Sequence, residues 1–181
     1  VVRSPINYMG GKSRSLKYFK HLLPKEGDTF YDLFAGSGTV LLNSNFDRVV
    51  YNDKNKPLSE LFEYLSKVED VDDFFELLKE EVERTKVNTE KGFLELREQY
   101  NKNPDPLKLF LLMNHSFSYL IRFNKKGKFN ASYGRGICKL GKNMGNKLTD
   151  MVNSLKNKEL LVENKDFREL IKISDLSKDD F

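Results

Sequence analysis

Apolar positions along the chain change their spacing near residue 55 and again near residue 157. Before the first change they come in short runs. Leu16, Phe19, Leu22 and Leu23 fit one face of a short helix over residues 13–23, which Pro24 ends. Thr29-Phe30-Tyr31-Asp32-Leu33-Phe34 reads as a strand running into the glycine turn Gly36-Ser37-Gly38, with residues 39–43 opening a helix. Arg48-Val49-Val50-Tyr51 reads as a second strand, ending at Asn52-Asp53. Strand, glycine turn, helix and strand make half of a parallel α/β sheet.

After Pro57 the spacing becomes helical: Leu58, Leu61, Phe62 and Leu65, then Phe74, Phe75, Leu78 and Val82, then Phe93, Leu96 and Tyr100. The turn Asn103-Pro104-Asp105-Pro106 leads into an apolar helix expected over residues 107–121. Residues 122–130 alternate around Lys126-Gly127 like a basic β-hairpin. Leu148, Met151, Val152 and Leu155 return to helix within residues 145–156. Leu160-Leu161-Val162 reads as a third core strand, and Asp180-Phe181 as the first step into another. The expected organisation is an α/β core, residues 1–54 and 157–181, interrupted by a helical and basic insertion over residues 55–156. Leu and Phe stripes of this kind are read as core packing, not as ligand sites.

Composition narrows the chemistry. No apolar run approaches the roughly 18 residues that a membrane helix needs, and no signal peptide is expected from the polar, Gly-rich start. One cysteine, Cys138, and two histidines, His21 and His115, make an internal disulfide or a zinc site improbable. No metal and no membrane partner are expected, and the cytoplasm is the expected location. The net charge is only +4, but residues 106–149 hold no Asp or Glu and nine basic residues: Lys108, Arg122, Lys125, Lys126, Lys128, Arg135, Lys139, Lys142 and Lys147. The rest of the chain is therefore net acidic, and a basic block within it is the footprint of a polyanion site.

Two glycine clusters carry candidate chemistry. Asp32-Leu33-Phe34-Ala35-Gly36-Ser37-Gly38 follows a strand, where a glycine turn lets backbone approach a ligand, and Asp53 ends the next strand in position to accept hydrogen bonds from ribose hydroxyls. A dinucleotide site prefers a third glycine at the position of Leu41. S-adenosylmethionine has no pyrophosphate and makes no such demand. Tyr8-Met9-Gly10-Gly11-Lys12-Ser13 ends like a phosphate-binding loop, yet that motif's first glycine would fall on Ile6 and no strand precedes it. A Gly-Gly turn with a lysine beside an aromatic suits a cofactor carboxylate or a DNA phosphate.

In order, Tyr-x-Gly-Gly-Lys, Asp-Leu-Phe-Ala-Gly-Ser-Gly, Asn-Asp after the second strand, residues 117–124, Lys126-Gly127-Lys128-Phe129-Asn130, Tyr133-Gly134-Arg135 and Asp166-Phe167 resemble the Dam-type DNA adenine N6-methyltransferases of bacteria and phages. The likeness runs from Tyr8 to Phe167. It implies a Rossmann-like S-adenosylmethionine-dependent methyltransferase core, here incomplete, with a helical, basic target-recognition insertion. It also implies a cofactor pocket formed by Tyr8, Gly11, Lys12, Asp32, Phe34, Gly36, Gly38, Asp53, Asp166 and Phe167. Asp53 would hold the ribose, and Asp166 and Phe167 the adenine ring. Double-stranded DNA would meet Phe117, Ser118, Leu120, Arg122, Asn124, Lys126, Lys128 and Arg135. In that picture Arg122 and the lysines serve phosphates, Arg135 reads a guanine edge, and Leu120 wedges into the stack as the target adenine flips out. Relatives commonly recognise GATC. Gly136 and Ser132 stand where several of them carry larger residues or proline, which leaves the target sequence open.

The family's Asp-Pro-Pro-Tyr motif, which accepts the amino hydrogens of the flipped adenine, occurs nowhere in these 181 residues. The expectation is that the chain is the front part of such an enzyme, that its partner is the downstream catalytic segment, and that alone it transfers no methyl group. Two alternatives stay open at this point: a non-catalytic DNA- or cofactor-binding relative, and an unrelated nucleotide-binding α/β enzyme.

Overall fold

The computed structural model describes residues 1–136, 140–173 and 176–181, so Cys138 and Lys139 lie outside the described residues. Three parallel strands, β1 (Thr29–Asp32), β2 (Arg48–Asn52) and β3 (Glu159–Glu163), form a sheet in the order β1-β2-β3. The central strand is buried from Val49 to Asn52, which is why it reads as an unbroken β-branched and aromatic run. Its register sets Phe30 against Val49 and Tyr51 against Val162. Phe181 lies on the other side of β1. Its N–H donates to the Thr29 carbonyl at 2.8 Å, its own carbonyl accepts from the Tyr31 N–H at 2.5 Å, and its ring stacks on Phe30 at 5.7 Å. That two-sided pattern is parallel pairing, the step into a further strand expected for this residue.

Near the N-terminus the helical expectation shrinks to α1 (Leu16–Phe19) followed by a 3-10 turn, Lys20–Leu22. Leu16 alone of the four apolar positions is fully buried, while Leu22 is exposed. The helix expected at residues 39–43 is likewise one 3-10 turn, Leu41–Asn43.

The helical stretch comprises α2 (Lys56–Ser66), α3 (Val71–Thr85), α4 (Glu90–Lys102), α5 (Pro106–His115) and α6 (Lys142–Leu155), and α7 (Phe167–Ile173) follows β3. Local capping starts three of them: Asp70 accepts from the N–H groups of Asp72 and Asp73, Thr89 from Gly92, and Asp105 from Lys108. On α2, Leu58, Leu61, Phe62 and Leu65 are fully buried, each stabilising by about 1.5–3 kcal/mol. Phe62 stacks on Tyr51 of the sheet with ring centroids 4.1 Å apart. One continuous core runs from the sheet through these helices.

Helix α5 ends at His115, six residues earlier than its apolar pattern predicts. The backbone turns extended at Ser116, whose hydroxyl donates to the carbonyls of Met113 (3.0 Å) and Leu120 (3.2 Å). A side chain that competes for helix carbonyls stops the helix while Ile121 stays buried. Beyond it, the expected hairpin is reduced to two isolated antiparallel bridges, Ser116 with Tyr133 and Phe123 with Phe129. Helix α4 holds this segment in place: Asn101 bonds both the N–H and the C=O of Phe129, and Arg97 donates to the Ala131 carbonyl.

Candidate cofactor and DNA-binding site

At the carboxyl end of β1 the chain turns through Leu33-Phe34-Ala35-Gly36 over a cleft of about 600 Å³. Its lining includes Tyr8, Gly11, Lys12, Asp32, Phe34, Gly36 and Asp53, so both glycine clusters meet in one place. Parallel sheets put their loops and ligands at this end. The Tyr8 cluster folds as a tight turn, with the Gly11 N–H on the Tyr8 carbonyl at 3.1 Å.

Strand β2 shapes the cleft with three consecutive residues. The Tyr51 hydroxyl donates to the Gly36 carbonyl at 2.6 Å, and Asp53 Oδ2 accepts from the Gly36 N–H at 3.0 Å, so one peptide unit after another is clamped from the same strand end. Asn52 donates to the carbonyls of Leu33 and Lys165, both at 3.1 Å, and accepts from the Lys165 N–H at 3.0 Å. Asp53 Oδ1 accepts from the Asn55 N–H at 2.8 Å. Asn52 enters the sequence reading only within the Asn-Asp motif, and Tyr51 only as a strand residue; an aromatic with a hydroxyl at a strand end is a signal only once the loop it reaches is known.

Asp32 is the electrostatic anomaly of the cleft. Its Oδ2 is buried without a hydrogen-bond partner among the described residues. Burial pushes the carboxyl up to about 6, the backbone N–H groups of Leu41 and Phe34 oppose the rise, and the nearby Asp53 charge adds to it.

Three of the residues expected around the cofactor sit elsewhere than on the cleft wall. Gly38 lies behind it, where a Cβ would stand 2.2 Å from Phe62, so this glycine is required by packing against α2. Phe167 packs at a tilt of 48° on the exposed Phe34 ring, centroids 5.2 Å apart, at the rim. The Asp166 carboxylate turns to Arg168 (2.8 and 2.9 Å) and Lys54 (3.2 Å), in a neighbouring polar groove with Lys165 and Lys172. Hydrogen bonds from Arg168 hold its carboxyl well below the usual carboxylate range.

The residues expected to face DNA divide by role. Phe117, on a 3-10 corner formed by Phe117–Tyr119, is 65% exposed, whereas Leu120 is half-buried, so the apolar side chain standing free at this corner is Phe117. Tyr119 in the same corner is held at φ +55. The side chain of Ser118 lies outside the described residues. Asn124 shapes the lysine turn: its side-chain oxygen accepts from the Lys126 and Lys128 N–H groups, which leaves those lysine side chains exposed. Arg122 is exposed but folded onto Asn130, with bonds at 3.0 and 2.8 Å. Arg135 is 87% exposed and touches Glu90 at 3.4 Å, a solvent-screened contact that a nucleic acid can displace. Of the histidines, His21 is exposed and His115 is buried, its Nδ1 against the Leu111 carbonyl at 2.8 Å. Among the described residues no cluster of His, Cys, Asp and Glu is placed to hold a metal, and no helix is long and apolar enough to cross a membrane.

The family model for the D12 class N6 adenine-specific DNA methyltransferases matches residues 8–181. The chain belongs to that family. Among curated relatives of this D12-class chain, the modification methylase StsI of Streptococcus sanguinis is 33% identical over 99% of the chain and 28% of its own length. The type II methyltransferase M.FokI of Planomicrobium okeanokoites is 35% identical over 88% of the chain and 25% of its own length. The DNA adenine methylase of Escherichia coli K12 is 31% identical over 74% and 48%. The D12-class chain thus spans between a quarter and a half of the length of these relatives.

Proposed function

We propose that the protein methylates the N6 amine of adenine within a short duplex target, with S-adenosylmethionine as donor. The observation that carries this reading is the clamped Gly36 turn beside the orphaned, buried Asp32 oxygen, in a cleft that joins the two glycine motifs. When bound, S-adenosylmethionine supplies an electrophilic methyl group on a sulfonium centre. The residues fit it chemically. The unpartnered Asp32 oxygen suits a cationic α-ammonium group. Asp53 has acceptor capacity left on both oxygens for ribose hydroxyls. The Phe34 and Phe167 rings offer an apolar rim for a purine. The surface carrying Phe117, Arg122, Lys125, Lys126, Lys128 and Arg135 supports DNA binding, within the recognition role of residues 55–156. Phe117 is the better wedge than Leu120 because it is the exposed one, and Arg135, whose contact with Glu90 is exposed, can turn to read a guanine edge. The amine hydrogens require acceptors that the resemblance assigns to an Asp-Pro-Pro-Tyr motif, absent from these 181 residues.

Tritiated methyl incorporation tests the function. The intact protein is expected to label adenine N6 in duplex DNA, and residues 1–181 alone are expected to bind without turnover. Unlabelled DNA from the intact protein would refute the reading, and robust N6-methyladenine from residues 1–181 would refute the need for the motif.

The Asp32 carboxyl supplies a pH test. Its folded-state value, about 6, lies above the ordinary 3.8. Its contribution to stability is therefore fully present below the ordinary value and lost as pH rises through about 6. A ligand that needs Asp32 ionised shows the opposite trend. Affinity for S-adenosylmethionine is expected to strengthen up to about pH 6 and level off above it, weakening about tenfold per unit below. Asp32→Asn should flatten the profile. A flat calorimetric profile for the unsubstituted protein would rule out a charged Asp32 partner.

A further inference from the structure

A second and larger cleft, about 760 Å³, opens beside the first and shares Tyr8, Gly11 and Ser37 with it. Arg3, Arg14, Lys17 and Lys147 line it, together with Asn7, Ser13 and Asn143, and among the described residues no carboxylate does. The four cations come from three separate segments. Arg3 sits on the N-terminal arm, which Asn43 pins by accepting from the Val2 N–H and donating to the Val2 carbonyl, both at 2.9 Å. Arg14 and Lys17 flank the start of α1, and Lys147 projects from α6. Among the described residues no carboxylate forms an ion pair with Arg3, Arg14 or Lys17. Lys17 lies over the ring of Tyr18, itself 70% exposed. The surface lysines of α2 and α3 behave differently, since Lys67, Lys79 and Lys86 each hold a glutamate three or four residues away.

Arg3, Arg14 and Lys17, converging without a carboxylate in an ion pair among the described residues, repel one another, and a polyanion relieves that repulsion. We propose that this groove carries the sugar-phosphate backbone of the DNA strand next to the target base, as a contact that positions the strand without reading its sequence. The inference rests on the DNA-methylating function above. That function requires the target base to reach the cofactor cleft, and the phosphates flanking a base in that cleft must pass along its walls. Of the two charged grooves beside the cleft, this one has no carboxylate among its described lining, whereas the groove of Lys54 and Arg168 holds Asp166 and Glu169. The lysine turn at residues 125–128 lines neither cleft and acts as a separate contact, so DNA is gripped at two places.

The test is fluorescence anisotropy of the intact protein with a short labelled duplex, cognate or scrambled, over a salt series. The triple variant Arg3→Ala, Arg14→Ala, Lys17→Ala changes only exposed side chains. It is expected to weaken both duplexes equally, by at least about tenfold, and to reduce the slope of log affinity against log salt by roughly 2–3. S-adenosylmethionine affinity should stay unchanged. A control triple at Lys67, Lys79 and Lys86 should alter neither affinity nor slope. Normal duplex binding by the unsubstituted protein, with the same affinity and slope in the groove variant, would overturn the groove's role and leave the function standing. An equal loss in the control triple would also overturn it, because net charge alone would then explain the effect. Absence of duplex binding by the unsubstituted protein at low salt would overturn the function and the groove together.

Discussion

Gly38→Ala is expected to lower the unfolding free energy by about 2–5 kcal/mol, a large share of what a domain of this size possesses. Two effects add. Gly38 has φ +74, and the left-handed region costs an L-residue about 1–2 kcal/mol. The new Cβ would also stand 2.2 Å from Phe62 Cε2, and overpacking a filled core costs about 1–3 kcal/mol. Phe62 has no room to yield, because it is fully buried and stacked on Tyr51. Gly36 is the internal control. It too has positive φ, +54, but its nearest neighbour would be Tyr8 Cδ1 at 3.4 Å. Gly36→Ala should therefore lose only the conformational part, about 1–2 kcal/mol. Urea denaturation of both variants checks this, and equal losses would show that Phe62 repacks.

Asp53→Ala should weaken S-adenosylmethionine binding by about 1.5–3 kcal/mol, the range for hydrogen bonds to a charged acceptor. The loss has two sources. The carboxylate no longer receives ribose hydroxyls, and the Gly36 and Asn55 N–H groups lose the acceptor that fixes the turn. Asp53→Asn keeps one oxygen acceptor and should fall between the two. Calorimetry on folded variants decides the matter, and unchanged affinity in Asp53→Ala would remove Asp53 from the cofactor site.

What the residues disclosed in advance follows from how local each interaction is. The α2 stripe, Leu58 to Leu65, and the buried run in β2 declare themselves because period and burial are properties of neighbouring positions. The Asp32–Gly38 and Tyr8–Lys12 clusters are legible as glycine turns for the same reason, each being contiguous, while the cleft they share belongs to the fold. Gly38 was legible as a required glycine but not as a packing glycine, since the cause is Phe62, far along the chain. Apolar periodicity continues to Ile121 and predicts a longer α5, while the stop lies in the Ser116 hydroxyl. The motif resemblance alone sets Asp166 at the cofactor, while the placement of Arg168 and Lys54 shows its carboxylate engaged by both. The basic groove was invisible for the strongest version of this reason. Arg3 and Lys147 become neighbours only through the fold, and a search for acid-free stretches along the chain finds the block at 106–149 instead.

The Asn52 amide, which joins residue 33 to residue 165, spans 113 positions to its farther partner. Closing a loop of that size is already expensive, and the cost grows so slowly that doubling the intervening length adds only about 0.6 kcal/mol. The sheet end is thus nearly indifferent to how much chain lies between β2 and β3. Helices α2 to α6 all enter the core that continues from it, through Phe62, Phe74, Phe93, Phe110 and Leu155, and are bound to keep their shape. The exposed turn over residues 124–128 is under no such demand. It is the part that can be lengthened, shortened or exchanged while the sheet end and the core beneath it stay as they are.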